Sequence, residues 1–250
     1  MFSTSTDRAW EFYGRVEPYF GVLVEKQYKM AALTDEARAE FFSSGEQHIE
    51  QVMGTIRRHF DHSCTFRRAL DFGCGTGRLV LPLAQRAGEV VGLDVSASML
   101  AEAAKNCQKR GVTNVTFHGS DDRLSALRGQ FDLIHSYIVF QHIPTARGFH
   151  IIRGLLAHLE SRGIGVLHVT FARQGLKQKW ASRIMRYVPF ARKLINVAKG
   201  RKISTPQMQM NNYNLNRLLL LLQNNGIRDF HAEFTDHGGF HGVTLYLQKP

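Results

Sequence analysis

From Phe66 to Phe171 short apolar runs alternate with amphipathic stretches, a rhythm that predicts strand and helix in turn. Strands are expected over 67–72, 89–94, 113–118, 131–137 and 163–171, with helices over 77–87, 96–110 and 145–160 and a short one over 122–128. Glu89-Val90-Val91-Gly92-Leu93-Asp94 shows no polar alternation, as expected of a strand buried on both faces. The predicted fold class is therefore α/β, a parallel sheet covered by helices on both sides.

The flanks follow other periods. Residues 7–60 read as helical, opening on Trp10, Phe12, Tyr13, Val16, Tyr19 and Phe20, with a break near Phe41-Phe42-Ser43-Ser44 and Ser44 as the N-cap of a second helix over 45–60. Beyond the fifth strand, Trp180, Ile184, Tyr187, Ala191, Leu194, Ile195 and Ala198 fall at helical spacing, and Pro189 divides them into two short helices. A last helix over 215–225 stops at Gly226, and 227–234 and 243–248 alternate as a terminal antiparallel pair. The organisation expected is a helical cap at 1–62, a core at 63–172, an insertion at 173–212, and a closing helix and hairpin at 213–250.

Charge sharpens one part of this picture. The net charge is +11, and no carboxylate occurs between Glu160 and Asp229 while thirteen Lys and Arg do. The basic excess thus belongs to the insertion and its borders, as a solvated face, an anion-recognising surface, or an amphipathic surface for anionic lipid over 175–202. Nucleic acid is disfavoured, because the segment has neither an RNA-binding module nor an aromatic stacking platform. Cys64, Cys74 and Cys107 form no disulfide or zinc pattern, the longest apolar run is Leu218 to Leu222, and the polar residues 1–7 lack the character expected of a signal peptide. A cytoplasmic protein, free or peripheral to a membrane, is expected.

The chemistry concentrates at Ala69-Leu70-Asp71-Phe72-Gly73-Cys74-Gly75-Thr76-Gly77-Arg78-Leu79. Glycine reaches positive φ and admits close approach of another molecule, and the helix that follows offers unpaired N–H groups. Asp94, ending the next strand, is placed to accept hydrogen bonds from a ribose diol. A dinucleotide turn of the form G-x-G-x-x-G would need glycine at position 78, where the chain has Arg78, which disfavours a nicotinamide oxidoreductase.

Asp71-x-Gly73-x-Gly75-x-Gly77, followed by Asp94 and Ser96-x-x-Met99-Leu100, resembles the S-adenosylmethionine (SAM) site of class I methyltransferases, above all those acting on small molecules; the likeness covers residues 66–172. It implies a Rossmann-like, seven-stranded, mostly parallel sheet with an N-terminal helical cap. It also implies cofactor contacts at Asp71, Gly73, Cys74, Gly75, Gly77, Asp94, Val95, Met99, Ser120, Asp121, Ser136 and Tyr137. Asp121 takes the place of the acid that meets the adenine amino group, with Asp122 as the alternative. N-terminal helices of the family lie over the cofactor, so Phe41, Ser44 and His48 are candidates to touch it, against the plainer role of packing the helices on the sheet. Where the family passes directly to its last helix, this chain inserts about forty residues over the site.

Two histidines are candidate catalytic bases, His142 after strand four and His237 in the terminal hairpin. Against these stand loop-ordering for His142 and, for Asp236, His237 and His241, either a divalent metal site or a plain hairpin; no metal is assigned. The resemblance implies methyl transfer, and the two histidines with the basic insertion lean toward a small-molecule or saccharide acceptor at oxygen, anionic or lipid-linked. The rival from another class is a non-catalytic SAM-binding protein that docks lipid or RNA through its basic helices. Oligomeric state stays open.

Overall fold

A computed structural model describes residues 5–60, 63–173 and 205–250. The basic insertion expected at 173–212 thus lies mostly outside the described residues.

The chain begins with α1 (Ser5–Val16), α2 (Pro18–Val22) and α3 (Asp35–Phe60). There follow β1 (Phe66–Phe72), α4 (Val80–Ala84), β2 (Ala87–Asp94), α5 (Ala97–Lys109), β3 (Val115–Gly119), β4 (Phe131–Ser136), α6 (Thr145–His158) and β5 (Leu159–Arg173). The last elements are α7 (Leu215–Asn224), β6 (Phe230–Asp236) and β7 (Phe240–Gln248). They form one seven-stranded sheet of order β3-β2-β1-β4-β5-β7-β6, in which β1 to β5 run parallel and β7 is antiparallel to both neighbours. The α/β class and the mostly parallel sheet stand as expected.

Each face of the sheet carries its own core. On one side Phe149, Ile152, Leu155 and Leu156 of α6 and Leu218, Leu221 and Leu222 of α7 pack on Leu70, Phe72, Ile134 and Leu167. On the other, Phe41, Phe42, Ile49, Val52, Met53 and Ile56 of α3 pack with Leu83, Val90, Leu133 and Val166. Burying such side chains contributes about 1.5–3 kcal/mol each. Gly148 on α6 is required by packing: a Cβ there would run into the hydroxyl of Tyr213, itself buried and donating to Ile143 O at 3.0 Å. Gly148→Ala is expected to cost about 1–3 kcal/mol, read as a lower urea midpoint at unchanged slope.

Several boundaries differ from the sequence pattern, each for a local reason. The helix expected at 77–87 shrinks to Val80–Ala84 because Gly77 turns at φ +84° and Ala87 already pairs with Phe66 in the sheet. No helix forms over 122–128: Leu124 has φ +53°, and Asp121 accepts from the backbone N of Arg123 and Ser125, at 3.0 Å each, in a side-chain-closed turn. The break at Ser44 is absent, since α3 runs through it and Ser44 Oγ donates back to Phe41 O at 2.7 Å. Strand β5 starts at Leu159, four residues before the expected 163, because a bulge between the Phe131 and Leu133 pairings absorbs the irregular stretch. The terminal strands are shifted as well, leaving a tight turn in which Gly238 and Gly239 have φ +66° and +85°.

Candidate functional site

Strand order reverses between β1 and β4, so a crevice opens beyond their carboxyl ends, where ligands of open α/β sheets bind. A cavity of about 680 Å³ occupies that place. Its floor comes from Phe72, Gly73 and Gly75 after β1, Asp94 and Val95 after β2, Ser120 to Asp122 after β3, and Tyr137 to Val139 after β4.

The glycine turn is built around Asp94. The N–H groups of Gly73 and Cys74 donate to Leu93 O at 2.7 and 2.9 Å, tying the turn to the end of β2. Asp94 Oδ2 then accepts from Gly75 N and Oδ1 from Ser96 N, both at 2.9 Å. Burial pushes this carboxyl up to about 6, while the two backbone donors work in the other direction. Gly73 and Gly75 have φ +77° and +53°, and a Cβ on Gly73 would collide with Val139. Ser96 caps α5 by accepting from Met99 N at 3.1 Å, and Met99 lines the cavity.

The roof comes from the N-terminal helices and from residues 205–213. Glu11 of α1 accepts from Ser96 Oγ (2.8 Å), Ser98 Oγ (2.6 Å) and Ser98 N (3.2 Å) at the start of α5, and its acid lies below the ordinary range despite partial burial, because these donors favour the carboxylate. Arg147 joins Asp7 of α1 (3.2 Å) to Asp122 (2.6 Å). Tyr13 Oη donates to Pro206 O at 2.7 Å, and Met208 and Met210 complete the cover. The alternation Gln207-Met208-Gln209-Met210-Asn211 was a readable sign of an extended, half-buried stretch.

The two candidate bases have different environments. His142, in a 3-10 turn over Phe140–His142, has Nδ1 2.7 Å from Gln209 O, and a carbonyl there can only accept, so Nδ1 carries the proton. Nε2 lies 3.1 Å from the amide nitrogen of Gln141, whose Oε1 accepts from Thr170 Oγ1 at 2.8 Å. Both nitrogens are thus engaged, Trp10 packs edge-on at 4.9 Å, and burial lowers the pKa to about 4. His237 also lines the cavity, but its Nε2 is buried without a hydrogen-bond partner, and burial lowers its pKa against a smaller opposing effect of Asp236.

Behind Tyr137 lies a chain of buried histidines. Asp71 Oδ1 meets His135 Nδ1 at 3.0 Å, and His135 Nε2 meets His48 Nε2 at 3.2 Å. The His48 ring packs 3.9 Å from that of Tyr137, and burial together with His135 and Arg78 holds its pKa down at about 2. His168 and His237 flank Tyr137 at 5.2 and 5.9 Å between ring centroids.

Of the residues singled out from sequence, Gly73, Gly75, Asp94, Val95, Met99, Ser120, Asp121, Tyr137, His142 and His237 line the cavity together. Asp71, Cys74, Gly77 and Ser136 do not: Asp71 is buried with its Oδ1 on His135, Cys74 and Ser136 are buried, and Gly77 packs toward Ala103. Phe41 is wholly buried among Tyr19, Tyr28 and Phe42, which is the packing role, and Ser44 and His48 reach the cavity wall only through Arg78 and Tyr137. Both oxygens of Asp121 bind Ser125 in its turn. Among the described residues no group of three His, Cys, Asp or Glu side chains is arranged to hold a metal, and no helix is long and apolar enough to cross a membrane. Trp10, Arg78, Arg147, Met208 and Met210 line the cavity too, although no motif in the sequence marks them as site residues.

Comparison with known proteins agrees with this geometry. Residues 69–163 match the family described as a methyltransferase domain. Among curated relatives, the ubiquinone biosynthesis O-methyltransferase of Methylococcus capsulatus is 32% identical over 104 residues, 40% of this chain and 44% of that protein. The 23S rRNA (uracil(1939)-C(5))-methyltransferase RlmD of Alkalilimnicola ehrlichii is 42% identical over 103 residues, 39% of this chain and 22% of that protein. The chain therefore spans less than half the length of either relative. Among solved structures, the magnesium protoporphyrin IX methyltransferase of Synechocystis PCC 6803 with bound SAM aligns over all of both chains with a TM-score of 0.63 at 18% identity. The N-methyltransferase NodS of Bradyrhizobium japonicum with bound S-adenosylhomocysteine aligns over 99% of this chain and 100% of its own with a TM-score of 0.55 at 12% identity. The fold is that of the class I methyltransferases.

Proposed function

We propose that this chain, whose residues 69–163 form a methyltransferase domain, binds SAM in the cavity beyond β1, β2 and β4 and transfers its methyl group to a small, largely apolar acceptor. The observation that carries the reading is Asp94, an acid at the end of β2 that organises the glycine turn and lines the same cavity as Ser120, Asp121 and Tyr137. The residues present fit the cofactor. Asp94 suits a ribose diol, Val95 and Met99 offer apolar surface to a purine, and the left-handed glycines let a ligand approach the backbone.

Bound SAM would supply an electrophilic methyl group that a nucleophilic acceptor atom takes in line. The protein's part is alignment and exclusion of water, met by the roof of α1, α2 and residues 205–213. Trp10, Ile138, Ile143, Met210 and Phe240 make the remaining wall apolar, which suits a hydrocarbon-rich or aromatic acceptor better than a saccharide. Transfer to oxygen fits His237, whose Nε2 has no hydrogen-bond partner and can accept the hydroxyl proton, while His142 orders the loop through Gln141 and Gln209.

Calorimetric titration with S-adenosylhomocysteine, with NAD run in parallel, tests the cofactor. Micromolar affinity for the first and none for the second is expected; the reverse would remove the methyltransferase reading.

A further inference from the structure

Arg78 is a buried cation with almost no partner. It is 5% exposed, yet it lines the same cavity as Gly75 and Tyr137. Its Nη1 donates to Ser44 Oγ at 3.2 Å, and Nε is buried without an acceptor. The acid nearest in sequence, Asp71, gives its Oδ1 to His135 instead. The place is built for this residue: α3 presents Gly45 to it, and a Cβ there would run into Arg78 O and lie 2.9 Å from its Cγ. A charge held out of water with a donor open and no carboxylate hydrogen-bonded to it destabilises the fold unless something neutralises it. Burial accordingly lowers the pKa of the guanidinium, with Tyr137 and Asp71 opposing.

A planar fork of N–H donors is matched by a carboxylate, which accepts two parallel hydrogen bonds. We propose that Arg78 is the carboxylate-binding residue of the cavity, its guanidinium completing its hydrogen bonds on a carboxylate of the bound ligand rather than on the protein. One source is the amino-acid end of the cofactor, and in that form the inference rests on the SAM reading above. The other is a carboxylate on the acceptor. Both place the same group between the glycine turn and Tyr137, and Arg78→Met separates them.

The experiment compares wild type, Arg78→Met and Arg78→Lys by calorimetry with S-adenosylhomocysteine and with 5′-methylthioadenosine, the same nucleoside thioether without the amino acid. If the cofactor's carboxylate is bound, Arg78→Met weakens the first at least about tenfold and leaves the second within about twofold, with Arg78→Lys between. If the acceptor's is bound, both nucleosides are unaffected. Benzoate then binds to the wild-type complex with S-adenosylhomocysteine more tightly than benzamide does, and Arg78→Met abolishes that preference. Equal loss of both nucleosides, or no change in any of these ligands, overturns the inference. Wild-type protein that binds neither nucleoside sinks the SAM site itself, a separate result. A purely structural arginine would lower the thermal midpoint when replaced; removal of an unneutralised buried charge is expected to leave the midpoint of Arg78→Met unchanged or raised.

Discussion

Replacing Asp94 by alanine is expected to weaken S-adenosylhomocysteine binding by about 100-fold or more, because two hydrogen bonds to a charged acceptor at roughly 1.5 kcal/mol each are lost at once. The loss has a second component. Without the carboxylate, the N–H of Gly75 and that of Ser96 lose the acceptors they hold at 2.9 Å, so the turn that should meet the ligand is loosened as well. Asp94→Asn keeps one acceptor and is expected to fall between wild type and alanine. A pH series supplies an independent check. Burial raises this acid to about 6, so it protonates well above the range of an ordinary aspartate as the pH falls. If only the carboxylate binds, affinity is flat above pH 7 and about tenfold weaker one unit below that pKa. Affinity unchanged in Asp94→Ala would mean that the ligand site is elsewhere.

This part of the site was legible in the sequence because it is local. Gly73, Gly75 and Gly77 stand at every second position after an apolar run, and the next run ends in Asp94. Strand and helix periodicity carried the sheet in the same way, including the antiparallel closing pair. What failed was decided by single side chains and distant partners. Asp121 closes a turn on Arg123 and Ser125, and Leu124 takes a left-handed conformation, so the amphipathic stretch over 122–128 does not become a helix. Ser44 looks like an N-cap but sits inside α3, which its apolar face holds on the sheet, with the Ser44 hydroxyl turned back onto Phe41 O. The His48, His135 and Asp71 chain joins residues 64 and 87 positions apart, which no periodicity encodes. Arg78 was visible, though only as a residue that spoils a dinucleotide fingerprint. Its isolation becomes evident once its burial is known.

His237→Gln is expected to reduce turnover by about 100-fold or more while leaving S-adenosylhomocysteine affinity within about threefold, the signature of a lost proton acceptor. The acceptor found by a labelled-SAM screen supplies the assay. His142 has the more suggestive place in the sequence, directly after β4, but its chemistry is committed: Nδ1–H faces Gln209 O, and its free lone pair is taken by Gln141. To act as a base it would have to surrender a hydrogen bond that orders both its own loop and the 205–213 cover. His142→Gln should therefore raise KM through a loosened roof and lower kcat less than tenfold, roughly the size expected when positioning alone is disturbed. His237 owes nothing to such a network. Its lowered pKa keeps it neutral near pH 7, so activity should persist through neutral pH and decline only when the ring protonates, below the ordinary histidine range. A larger kcat loss in His142→Gln than in His237→Gln would return the base to the loop after β4, and equal, small losses would point to an acceptor that needs no base.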